Sequence, residues 1–298
     1  MHERIEEISL ARTPPKKESK KEECMLRRLI LICHEDEKIT AHAFLSYINN
    51  PVEMCVIKDI RTQQDLESIF SSFSGPKDIH IYLMTDLSSS WMQQILSQSE
   101  SVIRKRALAV FPVMMGRFNI PSNFFSSLPI ITSTGDINDL SRIVSEVIKN
   151  YLRIDFGKIK PWSFENLVKD VLKTYHFEDI TLMYSDHVDF GYDMMCTYCN
   201  KNEPEANKEG WLVEIKYVPE GRFTIRSVEA VIRQDRGNYL ADHKLMLVTN
   251  GTFTTAMGDY LRTVIETKRI AIYIVDGWKL SSLIALNNEL VEKYFPNE

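Results

Sequence analysis

No apolar run in this chain approaches the roughly 20 residues needed to cross a bilayer, so a helical membrane protein is not expected. Residues 1–23 mix acids with lysines and have no apolar stretch, so they do not read as a signal peptide. Phosphate loops rich in glycine are missing, because neither GxGxxG nor GxxxxGK followed by Ser or Thr occurs. Cysteine is scarce: Cys24, Cys33, Cys55, Cys196 and Cys199 are all there is. With no secretion signal they are expected as reduced thiols in a cytoplasm. Cys196-Thr197-Tyr198-Cys199 is a lone CxxC. A structural zinc site needs a second pair of ligands, for which His187 is the one obvious neighbour; ordinary cysteines at a strand end are the other reading. An excess of positive charge is also missing. The formal net charge is −5, and residues 156–298 hold 17 Lys and Arg against 21 Asp and Glu. Attraction to phosphate across the whole chain is thereby excluded, and any contact with nucleic acid must come from a local patch.

What is present describes a folded protein. With 298 residues, 44% hydrophobic and 26% charged, the chain is long enough for two domains and too apolar for disorder. Residues 1–25, with Lys16, Lys17, Lys20 and Lys21 beside Pro14 and Pro15, are expected as a flexible charged tail. Strand-like runs then alternate with helical stretches: 29–33, 39–48, 54–57, 63–73, 79–84, 91–98, 107–114, 128–132 and 137–152. That alternation predicts a parallel sheet covered on both faces. The pattern changes after Asp155-Phe156-Gly157. Ser163 is placed to cap a helix whose Phe164, Leu167, Val168, Val171, Leu172 and Tyr175 follow helical spacing. Strands are expected at 180–184, 192–198 and 211–218. A helix follows at 225–240, a strand at 245–249, a helix at 254–267 and a strand at 270–275. No internal repeat is visible.

The chemistry concentrates on the strand Trp211–Val218. Side chains alternate between the faces of a strand. Glu214 and Lys216 therefore interrupt one otherwise apolar face, where charges are rarely buried unless paired or bound to a metal. Asp193 lies on the preceding strand. Two carboxylates on adjacent strands with an ammonium beside them suit hydrolysis of a phosphodiester assisted by Mg²⁺. A purely structural salt-bridge cluster is the alternative. Arg222, Arg226, Arg233 and Arg236, near helical spacing after this strand, offer either the local DNA-binding patch or a solvated helix face.

Residues from about 162 to 280 resemble the Mrr-like branch of restriction endonucleases, in the PD-(D/E)xK nuclease superfamily. The landmarks come in order: Phe164-Glu165, Asp189-x-Gly191-x-Asp193, Glu214-x-Lys216, Gln234, Val248-Thr249-Asn250 with Thr252-Phe253-Thr254, and Ile274-Val275-Asp276-Gly277. A bare ExK is common by chance, whereas the ordered set is far more specific. The resemblance implies Asp193 and Glu214 as metal ligands, Lys216 as the catalytic lysine, Gln234 as a further site residue and Glu165 as an accessory acid. Each of the last two has a plain alternative. Glu165 is expected in the first turn of its helix, where the dipole favours a carboxylate. Gln234 shares a face with Ala230 and Val231 and could edge the core. Asp189 reads as a turn residue.

Residues 26–155 resemble a TIR domain in the order of their elements. The charged loop His34-Glu35-Asp36-Glu37, the segment Ser88-Ser89-Ser90-Trp91, and Phe111-Pro112-Val113 before Ile120-Pro121 carry that similarity. The glutamate that TIR NADases place after the Ser-Trp element is missing: the stretch reads Met92-Gln93-Gln94-Ile95-Leu96, with no acid before Glu100. CRISPR-linked effectors, with a Rossmann-like sensor before a nuclease, are similar in layout.

The fold class expected is thus α/β: a TIR/flavodoxin-like parallel sheet flanked by helices, then a restriction-endonuclease-like domain with a mixed sheet. The domains are expected at 26–155 (regulation or oligomerisation) and 160–298 (nuclease). The function expected is a cytoplasmic DNA endonuclease of prokaryotic defence. It would use Mg²⁺, with Mn²⁺ as a substitute, self-associate through its N-terminal domain, answer a nucleotide signal and need no membrane. Two rivals stand beside it. One is a protein that consumes NAD or senses a nucleotide and whose nuclease fold only binds DNA; the other is a non-catalytic adaptor.

Overall fold

The computed structural model describes residues 7–8, 28–48, 54–73, 78–85, 90–91, 94–95, 98–99, 102–103, 109–115, 130–133, 136–183, 192–199, 208–218, 222–223, 225–234, 240 and 242–297. The chain divides into two compact units, Met1–Leu152 and Arg153–Glu298.

The first unit is built on β1 (Glu7–Ile8), β2 (Arg28–His34), β3 (Met54–Ile60), β4 (Ile79–Met84), β5 (Ala109–Met115) and β6 (Ile131–Ser133). Their order is β1-β3-β2-β4-β5-β6. All neighbours are parallel except β1, which adds antiparallel to the β3 edge at Cys55 and Val56. Glu7 and Ile8 are therefore part of a sheet, where the sequence reading had only tail. Apart from β1 the order is that of flavodoxin-like sheets, with its reversal between β2 and β4. The strands read as continuous apolar runs because helices cover both faces of such a sheet. All six residues of β4 are buried, and so are the central five of β2. The helices are α1 (Lys38–Tyr47), α2 (Gln63–Ser72) and α3 (Ile137–Arg153). Thr62 and Asp65 form a reciprocal capping box that starts α2. Phe44, Phe70, Phe111, Val144 and Ile148 fill the core.

The second unit opens with α4 (Pro161–Thr174), followed by β7 (Phe177–Leu182), β8 (Met194–Cys199) and β9 (Lys208–Lys216). Next come β10 (Arg222–Phe223), α5 (Ile225–Gln234), β11 (Lys244–Thr249), β12 (Thr252–Phe253), α6 (Thr255–Lys268), β13 (Ile272–Val275), α7 (Gly277–Ala285) and α8 (Asn288–Tyr294). The sheet runs β13-β11-β9-β8-β7. Its β7, β8 and β9 pair antiparallel, while β9, β11 and β13 pair parallel. It is the mixed sheet expected of this half, and β9 stands at its centre. Leu212, Leu245 and Leu247 pack against Val228 and Val231 of α5 and Met257 and Leu261 of α6. On the other face Trp211 meets Phe177, and Tyr217 meets Phe164 of α4. Short β10 and β12 form a separate parallel pair.

Ser163 is not the cap of α4. The helix starts at Pro161, with Lys160 in the cap position and no side-chain cap. Proline is preorganised for the first helical position and has no amide hydrogen to satisfy there. Glu165 is consequently the fifth residue of the helix, beyond the first turn where the dipole would account for it.

Candidate active site

Asp193 immediately precedes the first paired residue of β8, where Met194 lies opposite Val213 and Met195 opposite Leu212 of β9. The Asp193 amide donates to the Val213 carbonyl at 2.9 Å, and its Oδ2 accepts from the Ile215 amide at 2.6 Å. The Met183 amide reaches the Asp193 carbonyl at 2.9 Å. One oxygen of this carboxylate thus takes the β9 amide just beyond the end of the regular ladder, and the side chain is oriented by backbone.

Glu214 and Lys216 share the same face of β9, two residues apart. The Glu214 side chain is 6% exposed, that of Lys216 is 44% exposed, and Nζ lies 2.5 Å from Oε1. The pair runs from the interior to the surface. Glu165 is half-buried on α4, and its carboxyl is pushed above the ordinary range. Burial is the main cause, the charge of Asp193 adds to it, and Lys216 acts against it. Glu165 therefore lies within electrostatic reach of Asp193 and Lys216, and Lys216 is paired with Glu214.

Asp193 and Glu214 supply the hard oxygen donors that Mg²⁺ prefers. That ion is commonly held by one or two carboxylates together with water and substrate phosphates. Among the described residues no three His, Cys, Asp or Glu side chains are close enough to hold an ion in common. The donor set fits a cation shared between protein and substrate.

Tyr217, which sequence reasoning did not single out, ties the site to its helix. Its hydroxyl lies 2.7 Å from the Ile159 carbonyl and 3.0 Å from that of Phe156. The residue after Lys216 thus anchors the turn from which α4, and with it Glu165, sets out. The far end of β9 is held by Asn250, whose Oδ1 accepts from the Val218 amide at 2.6 Å. Gly277 donates to the Gly251 carbonyl at 2.8 Å, and Asp276 Oδ1 accepts from the Lys279 amide at 2.9 Å to cap α7. The landmarks Asn250 and Asp276–Gly277 therefore brace the strand ends.

The remaining candidates scatter more widely. Gln234 is the last residue of α5, and its side chain lies outside the described residues. Arg226 is exposed on α5, and Arg233 follows on the same helix with its side chain outside the description. Arg222 belongs to β10, and Arg236 lies outside the described residues. The four arginines do not form one helical face, because Arg222 pairs into a strand before the helix begins. Asp189 and His187 lie outside the described residues as well. Cys196 and Cys199 are both in β8, three residues apart, so their side chains leave opposite faces of the strand and cannot chelate one ion. Both thiols are free and buried, and burial raises that of Cys196 to about 12. In the first unit Glu37 is buried and bonded to the Thr85 hydroxyl, and Trp91 stands edge-on to His34 at 5.0 Å.

No family model matches the sequence, and no curated protein matches it. Among solved structures, the chain is similar to the MspJI restriction endonuclease in complex with a 27-mer oligonucleotide. Identity is 13% and the TM-score 0.34, over 56% of this chain and 40% of that one. It is similar to the DNA modification-dependent restriction endonuclease AspBHI at 13% identity and a TM-score of 0.34, over 51% of this chain and 38% of that one. A dinucleotide-forming acetyl-coenzyme A synthetase of Ca. Korarchaeum cryptofilum gives 11% identity and a TM-score of 0.25, over 91% of this chain and 68% of that one. The chain spans about two fifths of the length of the two endonucleases.

Proposed function

We propose that the second unit hydrolyses phosphodiester bonds in DNA with Mg²⁺, or Mn²⁺ in its place, as an Mrr-like nuclease of the PD-(D/E)xK kind. The observation that supports the reading is that Asp193 bonds the backbone of Val213 and Ile215, on either side of Glu214, while Lys216 Nζ lies 2.5 Å from Glu214 Oε1. Asp193 and Glu214 would hold the cation, which would supply Lewis acidity to the phosphate and to a water molecule. Lys216, 44% exposed, would orient the water and offset the charge that builds on the phosphate. Glu165, its carboxyl held above the ordinary range, keeps a proton to higher pH than an exposed glutamate and serves as the accessory acid. Gln234, at the end of the helix that covers the Glu214 face, completes the site. Arg222, Arg226, Arg233 and Arg236 belong to the DNA-contacting surface.

The first unit is assigned regulation and self-association within a prokaryotic defence effector. Its flavodoxin-like strand order supports this, because such sheets bind ligands at the carboxyl ends of strands where the order reverses. A nucleotide signal is the ligand proposed. The test is nicking of a supercoiled plasmid by purified protein with Mg²⁺, Mn²⁺ or EDTA, run beside Lys216→Met. Metal-dependent cutting that the variant loses is the expected result. Cutting that survives EDTA or the substitution refutes the assignment.

A further inference from the structure

Trp162 is 64% exposed, although it sits in the first turn of α4 one turn before Glu165. Residues three apart on a helix are neighbours, with about 5–6 Å between their Cβ atoms. The indole thus stands beside the carboxyl that feels both Asp193 and Lys216. The segment that carries it is not loose. Tyr217, next to Lys216 in sequence, grips the carbonyls of Phe156 and Ile159, and its ring meets that of Phe164 at 5.5 Å. Asn166 Nδ2 donates to the Trp162 carbonyl at 3.0 Å, which holds the backbone and leaves the ring uncovered. Lys158 and Lys160 are exposed on the same short segment. An anchored and uncovered indole with two exposed lysines just upstream on the same segment is complementary to nucleic acid, with a flat apolar face for a base and positive charge for neighbouring phosphates.

A base offers its face only when it is out of the helical stack. Resting on the nuclease reading above, we propose that Trp162 is a stacking platform for an unpaired DNA base next to the phosphate under attack, with Lys158 and Lys160 on the flanking phosphates. The residue then sets specificity by favouring strands with displaced or single-stranded bases over an intact duplex. It positions the substrate and takes no part in the bond-breaking step.

The experiment uses the full chain carrying Lys216→Met, so that nothing is cut, with Mg²⁺ present. Fluorescence anisotropy follows a fluorescein-labelled oligonucleotide, first single-stranded and then annealed to its complement. Trp162→Ala should weaken single-strand binding about tenfold and leave duplex binding unchanged, and Trp162→Phe should restore most of the loss. Because the ring is largely exposed, thermal unfolding should not move. Equal single-strand affinity with and without the indole overturns the proposal, and so does equal weakening on both substrates. A change in oligomeric state with DNA binding intact makes the ring a protein interface and overturns it too. If the parent binds neither substrate, the nuclease reading itself falls and takes this inference with it.

Discussion

Replacing Lys216 with methionine removes an ammonium and keeps most of the aliphatic stem, so the variant isolates a charge. Its partner, Glu214, is 4% exposed, with Nζ 2.5 Å from Oε1. An exposed ion pair is worth about 0–1 kcal/mol, whereas removing one partner of a buried pair costs about 3–5 kcal/mol. Lys216 is 44% exposed and Glu214 6% by side chain, so the site lies between these limits, at about 2 kcal/mol. For a domain near this size, each kcal/mol shifts the midpoint by about 2–4 °C, so a fall of about 4–8 °C is expected in calorimetry. Glu214→Gln in the same chain should recover most of it, because a neutral amide does not need the ammonium.

Activity should behave differently. Both single variants and the double variant should lose about 10²–10³-fold in plasmid cutting, since each lacks a charge that acts at the reacting phosphate. Metal should separate their causes. In the parent, Mg²⁺ must share Glu214 with Lys216. Thermal stabilisation by Mg²⁺ should therefore begin at lower concentration in Lys216→Met and vanish in Glu214→Gln. The reasoning fails if Lys216→Met cuts at the parental rate. It also fails if the double variant is no more stable than Lys216→Met, because the cost would then not arise from Glu214.

Asp193→Asn keeps an oxygen for the Ile215 amide, so it should lose cutting with its unfolding midpoint preserved; Asp193→Ala should lose about 1–3 kcal/mol as well, measured in urea. Gly277→Ala would set a Cβ 2.1 Å from the Asn250 carbonyl, so this helix start must shift, and about 3 kcal/mol of stability should go with it in denaturant titration. His80 is fully buried in β4, and burial lowers its pKa to about 4, partly offset by the charge of Asp78, which Arg28 binds at 2.6 and 2.7 Å. Folded His80 stays neutral while the unfolded residue takes up a proton below about pH 6.5, so stability is complete above that pH and falls by about 3 kcal/mol towards pH 4. The slope of urea midpoint against pH should flatten in His80→Leu, and an unchanged slope would refute the assignment.

The sequence announced elements whose burial leaves a simple periodic trace. β4 was expected at 79–84 and is found there, because a strand covered on both faces must be apolar throughout. The helix at 277–285 gave no such trace. Eight of its nine residues are buried, Lys279 among them, so it shows no apolar stripe against a polar face. Strands as short as β10 and β12 cannot carry an alternation, and that is why Arg222 was counted with a helix. In the site, Glu214 and Lys216 stood out because two charges break an apolar face of one strand. That Asp193 lies on the neighbouring strand was expected too. Its bonding to the backbone of Val213 and Ile215 was not legible, because it is a property of pairing rather than of local pattern. Tyr217 and Trp162 were invisible for a related reason, since their roles come from a turn nearly sixty residues upstream and from exposure.

Charge poses the sharpest demand on the proposed function. Around the site, Glu165, Asp193 and Glu214 gather carboxyls near the ammonium of Lys216, and the whole chain carries −5. Left to itself, this surface repels a phosphate backbone, and no surplus of lysine and arginine elsewhere in the unit corrects the balance. Two devices hold the carboxylates despite their mutual repulsion: the Ile215 amide on Asp193, which is part of the sheet, and Lys216 on Glu214, which is exchangeable. A divalent cation on the pair would cancel the surplus negative charge of these groups and release Lys216 towards the substrate. DNA affinity should therefore depend on the divalent ion even when nothing is cut. Anisotropy of a labelled duplex on Lys216→Met and on Glu214→Gln, each with Mg²⁺ or EDTA, measures this. Binding should need Mg²⁺ in the first and lose that dependence in the second. Binding of Lys216→Met that is indifferent to Mg²⁺ would mean that the carboxylates do not govern DNA contact and that a distant basic surface does.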